Sequence, residues 1–88
     1  MELRNNQVIE LRNGILGVVA SFNDTPFQLI FKSYTNPISR YNAELKNKNS
    51  AYDIVKIYDG STIEKVTDVF NNKFNTDKLN LIWERKDD

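Results

Sequence analysis

This chain of 88 residues carries 12 basic and 12 acidic side chains, no net charge, no cysteine and no histidine. Without thiols there are no disulfides, thiolate nucleophiles, zinc ribbons or redox motifs, and without imidazole the commonest general base and the usual metal ligand are gone. Neutrality argues against a dedicated duplex-DNA binder, whose affinity comes mainly from phosphate contacts.

The first predicted element is a hairpin in Val8–Val19, VIELRNGILGVV. Two β-branched, apolar runs flank Asn13-Gly14, a pair that tolerates the positive φ of a type I′ turn. The strands are read as Val8–Arg12 and Ile15–Ala20. Phe22–Pro26 is rich in turn formers and reads as a loop. Phe27–Phe31 is a third strand, with Phe27, Leu29 and Phe31 at the period-two spacing of a core face.

Residues 33–50 have no clear period. Asn36-Pro37 demands an extended or turn conformation. Ile38–Leu45 fits one helical turn with Ser39 as its cap, and Lys46–Ser50 is a solvated turn. Ala51–Tyr58 is a strong fourth strand, closed by an Asp59-Gly60 turn. Ser61 and Glu64 are spaced as a capping box. Ile63, Val66, Phe70 and Phe74 then mark one face of a short helix over Thr62–Asn72. Leu79–Arg85 is the last strand, with Leu79, Leu81 and Trp83 on one face, Trp83 as a core plug and Glu84-Arg85 as its solvated end. Lys86–Asp88 reads as a frayed tail.

This order predicts a single, mainly β (α+β) domain: a small, bent antiparallel sheet or barrel of about five strands with one short helix. Closure into a barrel would remove exposed strand edges; an edge left open would allow a homodimer by strand addition. No run approaches the roughly 18 apolar residues of a membrane span, and the first residues lack the apolar core of a signal peptide, so a cytoplasmic location is expected.

The blocks VIELRNGILGVV, YDIVKIY (Tyr52–Tyr58) and LIWER (Leu81–Arg85) resemble small proteins of low-GC Gram-positive bacteria, their phages and mobile elements. The resemblance implies an SH3-like barrel and an accessory role, and it supplies no catalytic or binding residue. A second, weaker likeness is to KOW-type barrels, whose basic, glycine-rich turn is missing here.

Most of the aromatic residues are needed for the core. Tyr34 and Tyr41 stand apart, because they lie in the irregular segment beside Lys32 and Arg40. Aromatics among cations can stack bases, anchor a protein interface, or simply pack a loop. Arg40, Lys46, Lys48 and Lys56, against only Glu44 and Asp53, form the one local positive excess. The expected partner-binding set is therefore Lys32, Tyr34, Arg40, Tyr41, Lys46 and Lys48. Asp53 and Lys56 fall on opposite faces of a straight strand and make a poor catalytic pair. No close carboxylate pair and no phosphate-cradling loop appears, although an oxygen-ligand site for a hard cation stays open. No cofactor is expected.

These observations lead to a non-catalytic accessory protein acting on a protein or nucleoprotein partner. With its small size and neutral charge, the resemblance to phage proteins implies, as one concrete example, an inhibitor of a host nucleoprotein defence complex of the anti-CRISPR kind. The alternative is a nucleic-acid-binding SH3/KOW-like module.

Overall fold

The computed structural model describes residues 3–21, 27–61, 69–70 and 76–86. Six strands form one antiparallel sheet: β1 (Gln7–Leu11), β2 (Leu16–Ala20), β3 (Gln28–Ile30), β4 (Thr35–Pro37), β5 (Ile54–Asp59) and β6 (Asn80–Glu84). The spatial order is β4-β3-β2-β1-β5-β6, so the sheet is not closed: β4 and β6 are its edges. The strand missing from the sequence reading is β4. Its residues, Thr-Asn-Pro, have no apolar alternation, and their pairing to Gln28–Ile30 is what makes them a strand. Short 3-10 turns follow at Ile38–Arg40, Ser50–Tyr52 and Thr76–Lys78. The turn at Ile38–Arg40 has Pro37 rather than Ser39 at its N-cap, with no side-chain bond. Ala51 and Tyr52 belong to the second turn, so the fourth expected strand starts only at Ile54. The helix expected over 62–72 lies outside the described residues, except for Val69 and Phe70, which are helical.

The first hairpin forms where expected, with a different turn. Glu10 faces Leu16, Leu11 N–H donates to the Ile15 carbonyl, and Gly14 N–H donates to the Leu11 carbonyl. The loop therefore has three residues, and Gly14 (φ +89°) takes the left-handed position. Asn13 keeps a negative φ and accepts the Ile15 N–H on its side chain at 3.1 Å. A type I turn closed by a left-handed glycine is the usual three-residue solution.

Both faces of the sheet are covered. Ile9, Leu11, Val19, Leu29, Phe31, Ile54 and Ile57 lie on the first face, under Leu3, Tyr41 and Leu45. Val8, Val18 and Tyr58 lie on the second, with Val69, Phe70 and Leu79 packed there. Two bulges make this two-sided core possible. Leu11 pairs with Ile54 and Glu10 with Lys56, which leaves Val55 as the extra residue. Ile54 and Ile57, three apart, thus share a face. Likewise Tyr58 pairs with Leu81 and Ile57 with Trp83, leaving Ile82 extra. Leu81 and Trp83 therefore point to opposite faces, and the single apolar face expected for the last strand does not exist. Trp83 packs against the first-face core, while Leu81 is 50% exposed.

Two glycines permit close approach. A Cβ on Gly60 would collide with the backbone carbonyl of Asn6. Gly17 lies in the middle of β2, cross-strand from Phe31, whose ring occupies the place of the missing side chain. A Cβ there would lie 2.5 Å from Phe31 Cε1 and 3.0 Å from the Ile30 carbonyl oxygen. Gly17→Ala is expected to destabilise the fold by about 1–3 kcal/mol through overpacking, measured as a lower urea midpoint at unchanged m-value. An unchanged midpoint would show that Phe31 does not need this seat.

Candidate partner-binding surface

The loop from Asn42 to Asp53 is built by short side-chain acceptors. Asn42 Oδ1 accepts the N–H of Glu44 (2.8 Å) and Lys46 (3.1 Å). Asn47 accepts from Asn49, and Asn49 from Ala51, both at 3.1 Å. These Asx turns give the abundant asparagines a structural purpose. Asp53, which is buried, fastens the loop. Its Oδ1 accepts the Asn47 N–H at 2.8 Å, and its Oδ2 meets the Arg12 guanidinium at 3.0 Å. Arg12 also donates through Nε to the Ser50 carbonyl, and the backbone N–H groups of Arg12 and Asn13 donate to Asp53 and Ala51. Asp53 is thus a structural acceptor outside β5, not a strand residue opposed to Lys56.

From the other side, Arg85 donates to the carbonyls of Ile54, Glu44 and Leu45 and lies 5.1 Å from the Trp83 ring centre. The expectation that Arg85 is a solvated end is corrected: it clasps the 44–45 backbone to β5. Leu45 sits between these ties with φ +62° and its side chain buried. A left-handed leucine costs roughly 1–2 kcal/mol, offset here by burial of the side chain.

The six expected binding residues separate on this frame. Tyr34 is 38% exposed and stacks on buried Phe31, with ring centres 4.8 Å apart and planes inclined by 22°. With Lys32 it borders a cleft of about 330 Å³ between the β3–β4 turn and the β1–β2 loop. Gly14 and Ile15 form the opposite wall, with Phe70 at the margin; Ile15 is also 38% exposed. Arg40 and Lys48 border a second, polar cleft of about 280 Å³ with Ser39 and Asn47. Among the described residues, Lys32, Arg40 and Lys48 have no ion-pair partner, whereas Lys46 pairs with Glu44 at 3.7 Å in an exposed contact.

Tyr41 does not belong to the surface. It packs in the first-face core, and its hydroxyl donates to the Tyr52 carbonyl at 2.9 Å. Of the six expected binding residues it is the one the structure places in the core. Ile15, Gly14, Phe31 and Phe70 are among the cleft residues not expected from the sequence. Gly17, a glycine inside a strand pattern, was the available signal that another group approaches the backbone there.

Two further polar groups singled out by the sequence, Lys56 and Asp59, are occupied structurally. Lys56 pairs with Glu84 at 3.5 Å, and its ammonium is held above the usual lysine range, by Tyr58 first and then by Glu10 and Glu84. A nucleophilic lysine needs the opposite shift. Asp59 accepts the Ser61 N–H at 2.9 Å, which closes the expected turn and lowers its pKa. Among the described residues, no three carboxylates converge on a point where a cation would sit, and no helix is long and apolar enough to cross a membrane. No protein-family model, curated protein or solved structure matches the chain.

Burial pushes the Tyr41 hydroxyl up to about 12, against the opposing hydrogen bond from Asn47. The unfolded chain releases that proton near pH 10, so the folded state holds it more tightly. Stability from Tyr41 is complete below about pH 10 and is lost as pH rises toward about 12. Urea unfolding across this window is expected to show a falling free energy, with a shallower fall for Tyr41→Phe. Equal slopes would show that Tyr41 is not held as described.

Proposed function

We propose that this chain is a binding module without catalytic chemistry of its own, and that it engages a macromolecular partner through the cleft walled by Tyr34 and Ile15. The observation that carries this reading is Tyr34 itself. A large aromatic is left 38% exposed, yet it is fixed against a buried ring. Such a side chain loses little conformational entropy on binding, which is why rigid aromatics anchor interfaces.

The SH3-like reading is supported by topology. Four strands form a meander, and the connection through two 3-10 turns returns β5 beside β1. Within the broader reading, a nucleoprotein partner fits best, because it offers both apolar protein surface and phosphates. The cleft suits the first, and Arg40 with Lys48 suits the second. The more specific form, an inhibitor of a host defence complex of the anti-CRISPR kind carried by a phage or mobile element, draws on the resemblance in LRNG, DIVKIY and IWER. It places the protein in the bacterial cytoplasm. Direct nucleic-acid binding is the second reading, favoured by Lys32 beside the exposed Tyr34 and by Arg40 and Lys48 on the second cleft, all three lacking ion-pair partners among the described residues.

Immobilised wild-type protein is expected to retain one dominant protein or nucleoprotein complex from lysates of low-GC Gram-positive bacteria. Ile15→Ser combined with Tyr34→Ala should lower that retention by about tenfold or more while the unfolding midpoint stays close to wild type. Retention undiminished in the double variant, or none by the wild type, would overturn the cleft as the site. For the second reading, retention on single-stranded DNA at low salt should fall steeply with added salt and vanish in Arg40→Ala/Lys48→Ala. No retention by the wild type at low salt removes that reading.

A further inference from the structure

The cleft between the β1–β2 loop and the β3–β4 turn has an uneven lining. Ile15, Leu16, Phe31, Tyr34 and Phe70 supply its apolar surface. Its polar side-chain groups are those of Asn13, Lys32 and Ser33, together with the Tyr34 hydroxyl. All of them can donate a hydrogen bond, and no carboxylate lines the cleft. The Lys32 ammonium has no ion-pair partner among the described residues. Asn13 spends its Oδ1 on the Ile15 N–H at 3.1 Å, so its NH2 is the group left for a ligand. An apolar slot edged by donors, with one uncompensated positive charge, is complementary to an apolar group that has an anion beside it.

We infer, resting on the use proposed above for this cleft, that its occupant is a protein segment in which a large apolar side chain lies next to an aspartate or glutamate. The apolar side chain enters between Tyr34 and Ile15, and the carboxylate accepts from Lys32. Two other anions fit less well. A chain-terminal carboxylate is captured by free backbone N–H groups. On the hairpin wall those of Gly14 and Ile15 are already spent on the Leu11 carbonyl and on Asn13. Single-stranded nucleic acid is held by successive aromatic platforms and by many cations. Here Tyr34 is the one exposed aromatic among the described residues, it faces an aliphatic wall, and a single cation lines the cleft of a chain without net charge.

The test uses the whole chain labelled with nitrogen-15 and three blocked peptides, in which a leucine is flanked on both sides by glutamates, by glutamines or by lysines. The glutamate peptide should shift the amide resonances of residues 14–16 and 32–34 in a saturable way. The glutamine peptide should bind about fivefold more weakly, and the lysine peptide should leave those resonances in place. Lys32 is exposed, so Lys32→Glu changes the charge without disturbing the core, and the order of the peptides should reverse in that variant. Equal binding of the glutamate and glutamine peptides, or an order that survives Lys32→Glu, would overturn the inference while leaving the cleft as a binding site. Larger shifts from an oligodeoxythymidylate than from the glutamate peptide, or no shifts from any peptide, would overturn it as well. The cleft itself falls only if Ile15→Ser with Tyr34→Ala leaves retention of the lysate partner undiminished.

Discussion

The buried carboxylate of Asp53 ties two parts of this molecule that the sheet alone would leave separate. It accepts from the Arg12 guanidinium at the end of the first hairpin and from the Asn47 N–H in the long loop. The hairpin tip and the Ser50–Tyr52 turn are thereby held side by side, with backbone bonds from Arg12 and Asn13 completing the seam. The Tyr52 carbonyl then receives the Tyr41 hydroxyl, and the Tyr41 ring closes the first-face core. Only the carboxylate of this pair is buried, so removing the partly exposed Arg12 guanidinium leaves a buried charge short of its partner, which is costly. Its consequence here is positional: it sets the hairpin tip, which forms one wall of the cleft, against the loop that carries Lys48.

A second device supports the opposite wall. The absent side chain of Gly17 makes room for Phe31, and Phe31 supplies the flat surface on which Tyr34 rests. The exposed tyrosine is thus anchored through a buried ring and a strand glycine to the centre of the sheet. Function on this reading depends on preorganisation, since a chain without thiol or imidazole groups has few means of covalent or acid–base chemistry. The same economy appears in the Asx turns of Asn42, Asn47 and Asn49, which build a rigid loop without hydrophobic mass.

Much of the sheet could be read from residue patterns. Apolar, β-branched runs in Val8–Arg12, Ile15–Ala20 and Ala51–Tyr58, the alternation of Phe27, Leu29 and Phe31, and the Asn13-Gly14 pair predict four strands and the first connection. The pattern fails where pairing rather than alternation decides. Thr35–Pro37 becomes a strand only through its partner β3. A bulge shifts side chains by one position, so a period-two reading of Leu79, Leu81 and Trp83 assigned one face to residues that occupy two. Tyr34 and Lys32 were visible as an aromatic beside a cation; Tyr41, with the same local appearance, is buried by contacts distant in sequence. Ile15 looked like an ordinary strand residue, because nothing local shows that its side chain faces the β3–β4 turn across a cleft. Arg12 and Arg85 gave no sign of their roles, since a guanidinium that binds backbone carbonyls leaves no spacing pattern.

The most direct test of this architecture is a double-mutant cycle on Arg12 and Asp53, using Arg12→Met and Asp53→Asn and urea unfolding free energies. A network of shared hydrogen bonds predicts strong coupling, about 1.5 kcal/mol or more, because either change alone already disables the tie. Costs that simply add, with coupling within about 0.3 kcal/mol of zero, would show that the hairpin and the loop are held by packing and backbone hydrogen bonds and that the Asp53 side chain does not organise the surface.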